Sequence, residues 1–177
     1  MKLYGVPETK IQVISEGYDR KTKNQASKIN NQVLPYLLFI GRLEERKNIL
    51  RIIEAFKILK QKYQIPHELV LVGKPGYGYE KIRSKVKHLP LEIGIREPGY
   101  VSEEEKWLLL QGAEVFVFPT LYEGFGIPVL EAQAAGTPVV TSNTSSLPEV
   151  AGDGAVYVDP ESAESIAEGV WQVLSDP

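Results

Sequence analysis

Between Tyr36 and Val158 the chain alternates short, unbroken apolar runs with segments of helical periodicity, and that alternation restricts the fold more than any other property. The runs are Tyr36–Ile40, Leu69–Val72, Val115–Phe118, Val139–Thr141 and Val156–Val158, with a weaker one at Ile93–Ile95. An apolar run with no polar alternation suits a strand covered on both faces. Asn48 is placed to cap a helix whose apolar stripe is Ile49, Ile52, Ile53, Phe56 and Leu59, and Pro66 breaks that helix. A short helix is expected near Tyr79–His88. Ser102 with Glu105 has the spacing of a capping box and opens a helix reaching about Gly112. A further helix runs from about Pro128 to Ala135 and stops at Gly136. Ser146 with Glu149 opens a short helix, and Ser162 caps the last one, which turns Ile166, Val170 and Val173 inward. Strand, helix and strand at such intervals require parallel pairing with right-handed crossovers. The expected fold is therefore α/β: a doubly wound, Rossmann-like sheet of six parallel strands with helices on both faces.

The first 35 residues break this rhythm. Ile11–Ile14 reads as a short strand, and Ser15–Gln32 is polar, rich in Lys, Asn and Gln, and without period, which suits a linker or exposed loop; a loose tail is the alternative reading. The boundaries drawn are residues 1–35 as a joint and residues 36–177 as the main domain. Composition narrows the chemistry. There is no cysteine, which excludes disulfides, thiolate nucleophiles and cysteine-bound zinc. The two histidines, His67 and His88, are too few for a multi-histidine metal site. The aspartates Asp19, Asp153, Asp159 and Asp176 form no Asp-x-Asp pair to hold a divalent ion against a diphosphate, so no metal is expected. A net charge of −3 with no basic block argues against a nucleic-acid partner. No run approaches the roughly 18 apolar residues of a membrane span, and Met1–Lys10 lacks the apolar stretch of a signal peptide. A soluble, cytoplasmic location is the expectation.

In a doubly wound sheet, ligands sit beyond the carboxyl ends of the strands. That rule selects Gly41-Arg42, Gly73-Lys74, Pro98–Val101, Pro119–Gly126 and Ser142–Ser146. The most informative of these reads Y-E-G-F-G-I-P-V-L-E from Tyr122 to Glu131. Gly124 and Gly126 let a ligand approach the backbone closely. No Ser, Thr, Asp or Asn stands just before the helix, so its first amides lack a side-chain cap and suit an anion; the alternative is a plain glycine turn capped by water. Glu123 lies in the loop and Glu131 about one turn into the helix, so both are expected to face one crevice. A carboxylate there accepts two hydroxyl hydrogen bonds at once, as a sugar or ribose diol offers. Glu131 has a second reading, an acid favoured near a helix start. Arg42 follows the first strand and Lys47 precedes the first helix; two cations at these places can neutralise a diphosphate leaving group. The other reading is a solvated charge run, since Glu44, Glu45 and Arg46 lie between them. Pro98–Val101 either clamps a flat base or is a simple loop into the next helix. The segment G-K-P-G-Y-G from Gly73 to Gly78 is not a dinucleotide fingerprint, and Val129 stands where Gly124 and Gly126 would need a third glycine.

These residues together resemble a known family. Gly41-Arg42-Leu43 with Lys47-Asn48, Gly99-Tyr100-Val101-Ser102, the E-G-F-G-I-P-V-L-E stretch, Ala135-Gly136-Thr137-Pro138-Val139-Val140, Leu147-Pro148-Glu149 and Val158-Asp159-Pro160 are similar to the family-4 retaining glycosyltransferases of GT-B fold. The likeness covers roughly Tyr36–Pro177. It implies a carboxyl-terminal, donor-binding domain. Glu123 would hold donor-sugar hydroxyls, with the Phe125 and Gly126 amides against that sugar and those near Leu130 against phosphate. Glu131 would bind the ribose diol, and Arg42 and Lys47, beside Gly41, the diphosphate. Tyr100 and Val101 would contact the base. The implied reaction is retaining transfer of a hexose from a nucleotide sugar by front-face attack, with no metal or other cofactor. Mannose or glucose would pass to a glycan or lipid-linked acceptor in polysaccharide biosynthesis. Gly5–Asp19 resembles the joint leading out of the family's amino-terminal acceptor domain, although Glu16-Gly17 stands where Asn-Gly is common. That acceptor domain is expected to be missing. The chain is then an incomplete half, weakly active or inactive alone, whose membrane contact would come only through the missing part.

Competing readings remain at this stage. A nucleotide-sugar 2-epimerase of similar fold would use further acids and histidines. A noncatalytic signalling or nucleotide-binding module on a flavodoxin-like sheet would need acids where Gly41-Arg42 and Gly73-Lys74 stand. A dehydrogenase domain would need the absent glycine fingerprint.

Overall fold

In the computed structural model, residues 34–176 are described. The readings made for Ile11–Ile14 and for most of the joint fall outside them. Six strands form one parallel sheet: β1 Tyr36–Ile40, β2 Glu68–Val72, β3 Ile95–Gly99, β4 Val115–Phe118, β5 Val139–Ser142 and β6 Ala155–Val158. Their order across the sheet is β3-β2-β1-β4-β5-β6. The helices are α1 Ile49–Lys62, α2 Tyr79–Lys87, α3 Glu103–Gly112, α4 Ile127–Ala135, α5 Leu147–Ala151 and α6 Ala163–Ser175. Helix α1 packs on α2 and α6, and α4 packs on α3 and α5. These are the two layers that right-handed crossovers require of this strand order.

The apolar runs become the central strands because only there are both faces covered. Leu37, Leu38 and Phe39 of β1, and Val115, Phe116, Val117 and Phe118 of β4, are all buried. Phe118 stacks on Phe39 and on Phe116 with ring centroids 5.7 and 5.5 Å apart, a geometry favourable beyond the area it buries. The α1 stripe of Ile49, Ile52, Ile53, Phe56 and Leu59 is buried as its spacing demands. At the end of α1, half-buried Tyr63 stacks on Trp171 of α6 with ring centroids 4.6 Å apart, and both pack against the core.

Three local expectations are corrected. The third strand runs over Ile95–Gly99, whereas Leu91–Ile93 forms a 3₁₀ turn closed by Gly94 in the left-handed region. This strand lies at the sheet edge and pairs only with β2, so it needs no unbroken apolar run and tolerates Pro98. Asn48 stands at the start of α1, but with φ 63° its side chain does not cap the helix. Ser146 precedes α5 without forming the capping box with Glu149. Both side chains serve other loops instead. By contrast, the capping box of Ser102 and Glu105 is present at α3, and the Ser162 hydroxyl accepts the Ser165 amide at α6.

The sheet order makes β1 and β4 neighbours whose crossovers leave in opposite directions. Their carboxyl ends therefore mark the topological switch point, the place at which ligands bind in such sheets.

Candidate functional site

Three consecutive residues of the loop after β1 reach across the switch point to the loop after β4. The Arg46 guanidinium donates to the Tyr122 carbonyl at 2.5 Å, while the Arg46 carbonyl accepts the Leu121 amide at 3.0 Å. Lys47 Nζ forms a short, buried ion pair with Glu123 Oε1. Asn48 Nδ2 donates to the Pro119 carbonyl at 2.9 Å and to the Pro160 carbonyl at 2.6 Å. A 3₁₀ turn over Glu45–Lys47, closed by left-handed Asn48, aims these three side chains. Asn48 is suited to that conformation, which most side chains avoid. Arg46 thus bridges the two loops although its side chain is 44% exposed. It contacts Glu123 Oε2 at 3.4 Å and Glu44 at 2.9 Å. Glu123 lies between two cations, and the Lys47 ammonium also sits 5.1 Å from the centre of the Phe118 ring.

The Glu123 turn is held from the β5 side as well. Its amide donates to Ser145 Oγ at 3.2 Å, and the Ser146 hydroxyl donates to the Phe125 carbonyl at 2.6 Å and the Glu123 carbonyl at 3.2 Å. Gly126 then opens α4 at φ 111°, where an added Cβ would lie 2.7 Å from Leu147 Cδ2. No side chain caps this helix start, as its sequence implies. Pro128 supplies no amide and the Val129 amide is engaged by the Gly126 carbonyl at 2.9 Å, so fewer donors face outward than in a bare first turn. Leu130, half-buried, ends the first turn.

A cleft of about 310 Å³ lies at the carboxyl ends of β1 and β2 and the loop after β3, lined among others by Gly41, Arg42, Gly73, Lys74, Tyr100, Val101, Glu103 and Lys106. Gly73 makes its floor possible: a Cβ there would come within 1.8 Å of the Gly41 carbonyl oxygen. Arg42 is exposed. Tyr100 is 69% exposed, with Lys74 Nζ 4.5 Å from the centre of its ring. Lys106, on the first turn of α3, bridges Glu131 of α4 at 2.7 Å and Glu103 at 2.9 Å. Burial works against the Lys106 charge, but its hydrogen bonds to Glu131 and Glu103 outweigh that and hold its pKa above the ordinary 10.5.

The residues singled out in the sequence therefore fall into two groups. Gly41, Arg42, Tyr100 and Val101 line the cleft, and Glu131 joins it through Lys106. Lys47, Glu123, Phe125 and Gly126 gather at the turn that opens α4. The two carboxylates are each taken by a lysine from a different element. Arg46 and Lys106 escaped the sequence reading. Only the Glu103-to-Lys106 spacing on one helix face hinted at the second, and nothing in the sequence ties Lys106 to Glu131, which lies 25 positions away. Cations, acids and an exposed ring around a cleft of this size suit an anionic ligand that also carries hydroxyls. Among the described residues, no three His, Cys, Asp or Glu side chains gather to hold a metal ion, and no helix is long and apolar enough to cross a membrane.

Comparison with known proteins agrees with the geometry. Residues 19–177 match the family described as glycosyl transferases group 1. The chain is 40% identical over 141 residues to the O-antigen chain mannosyltransferase B of Escherichia coli, covering 80% of this chain and 37% of that protein. It is 31% identical over 171 residues to the O-antigen chain mannosyltransferase RfbU of Salmonella typhimurium, covering 97% of this chain and 45% of that one. Among solved structures, sucrose-phosphate synthase from Thermosynechococcus elongatus superposes with a TM-score of 0.69 at 28% identity, over 81% of this chain and 37% of the other. The chain belongs to the group 1 glycosyl transferases, and it spans less than half the length of these relatives.

Proposed function

We propose that this member of the group 1 glycosyl transferases is the donor-binding domain of a retaining hexosyltransferase, acting in the cytoplasm and completed by an amino-terminal acceptor domain. The donor is a nucleoside-diphosphate sugar carrying mannose or glucose, and the acceptor is a glycan or a lipid-linked sugar. The observation that carries this reading is the joining of the β1 and β4 loops across the switch point by the Lys47–Glu123 pair, on the same β1 loop whose Gly41 and Arg42 line the cationic cleft.

In this reading the base rests on Tyr100 and Val101, and Glu131 accepts the ribose hydroxyls. Arg42 meets the diphosphate beside Gly41, where the backbone permits close approach. Lys47 and Glu123 act as a stored pair. When a donor enters, the carboxylate turns to the sugar hydroxyls and the ammonium to the leaving phosphate, so neither charge is left unpartnered. The amides of Phe125 and Gly126 lie against the sugar, and those near Leu130 toward phosphate. The glycosidic bond to the diphosphate breaks as the acceptor oxygen attacks from the same face. The leaving phosphate takes the acceptor proton, and Arg42 and Lys47 offset its negative charge with no call for a metal. Water exclusion and acceptor contacts come from the other half of the cleft.

Titration calorimetry with uridine, guanosine and adenosine diphosphates and their hexose conjugates tests this. Saturable binding is expected for at least one of them. Arg42→Ala and Glu131→Ala are each expected to weaken it by about 10- to 100-fold, the range for a lost hydrogen bond to a charged group. A folded chain that takes up none of these ligands at millimolar concentration would overturn the reading.

A further inference from the structure

We propose that Lys106 is a positioning residue that presets Glu131, and through it sets the preference of the cleft for ribonucleotides over 2′-deoxyribonucleotides. The inference rests on the preceding assignment of Glu131 to the ribose diol.

Lys106 Nζ is 2.7 Å from Glu131 Oε1, and both side chains are largely withdrawn from solvent, at 14% and 16% exposure. An exposed lysine–glutamate pair holds neither partner in place, because solvent and rotamer freedom compete. At this depth they compete far less. The ammonium also contacts a second, exposed acid, Glu103, at 2.9 Å, and it lines the cleft beside Tyr100, Val101 and Arg42. Glu131 is therefore pinned from α3, an element distinct from its own helix. An ammonium on one oxygen uses one of roughly four acceptor positions of a carboxylate. The remaining positions are free for two adjacent hydroxyls. The acid is oriented before the ligand arrives, so binding need not arrest a flexible side chain. Arresting a glutamate side chain on binding weakens association by about tenfold. The raised pKa of Lys106 fits a permanently charged holder.

The test compares binding of nucleoside diphosphates with their 2′-deoxy forms, for the base that the wild-type chain prefers. Calorimetry measures both ligands on wild type, Lys106→Met, Lys106→Gln and Lys106→Arg, and circular dichroism confirms the fold of each. Wild type is expected to favour the ribonucleotide by about tenfold or more, the value of one hydrogen bond to a charged acceptor. Lys106→Met should weaken the ribonucleotide about tenfold and leave the 2′-deoxy form within about threefold, so that the preference nearly vanishes. Lys106→Arg should restore it, since a guanidinium can hold the same oxygen. If Lys106→Met does not fold, the contrast between the Gln and Arg variants decides in the same way. Preference retained in the Met or Gln variant, or no preference in a wild type that does bind, overturns the role of Lys106 alone. A wild type that binds no nucleotide overturns the donor-domain reading and this inference with it.

Discussion

Replacing Lys47 with methionine isolates what the buried charge pair at the switch point contributes. Each side chain of the pair retains 10% exposure, so removing the ammonium leaves the Glu123 carboxylate in a site that water barely reaches. Stripping one partner from such a pair costs about 3–5 kcal/mol. Arg46 offers partial relief at 3.4 Å from the other carboxylate oxygen, but its side chain is 44% exposed, and a contact of that kind is worth at most about 1 kcal/mol. The expected net loss is about 2–4 kcal/mol. For a chain of 177 residues, at about 2–4 °C per kcal/mol, the melting temperature should fall by roughly 4–16 °C. The double variant Lys47→Met with Glu123→Leu removes both charges and should recover most of the loss, because apolar groups of similar volume replace a buried pair at little cost. Urea unfolding followed by circular dichroism gives the four free energies of the cycle, with a coupling of about 2 kcal/mol or more expected. A single-variant loss below about 1 kcal/mol together with a coupling near zero would refute the reasoning, since the pair would then be screened as surface pairs are.

Two further outcomes follow from the same geometry. Gly73→Ala should destabilise far more than Gly99→Ala in the same unfolding assay. Both glycines have positive φ, but an added Cβ at Gly73 would meet the Gly41 carbonyl at 1.8 Å, whereas at Gly99 nothing lies within 4 Å. Lys106 supplies a pH test: its folded pKa is raised, so its contribution to stability is complete below pH 10.5 and is lost as pH climbs through the folded value. The melting temperatures of wild type and Lys106→Met should therefore differ at pH 8 and converge in strongly alkaline buffer; a gap unchanged at high pH would count against the Lys106–Glu131 pairing.

How much of this was legible beforehand depended on how local the physics was. The central strands announced themselves because a strand covered on both faces has no use for polar alternation, as Leu37–Phe39 and Val115–Phe118 show. The capping box at Ser102 and Glu105 was equally local, since both bonds close within one turn. The edge strand at Ile95–Gly99 was misplaced because a strand paired on one side, and half open to water, carries no such signature. The caps assigned to Asn48 and Ser146 failed for a different reason. A short polar side chain at a loop end can serve its own helix or a neighbouring loop, and the neighbours that won, Pro119 and Pro160 for Asn48 and Phe125 for Ser146, are distant in the chain.

Sequence by itself determined the fold class, the strands that make the core, and the loops that emerge at the functional edge, because periodicity and apolar run length are properties of neighbouring residues. Tertiary structure alone decided which charges meet across elements. Lys47 and Glu123 are 76 positions apart and Lys106 and Glu131 are 25 apart. No local pattern can encode such pairings, because they arise only when the order of strands brings the ends of β1 and β4, and the starts of α3 and α4, to the same edge of one sheet.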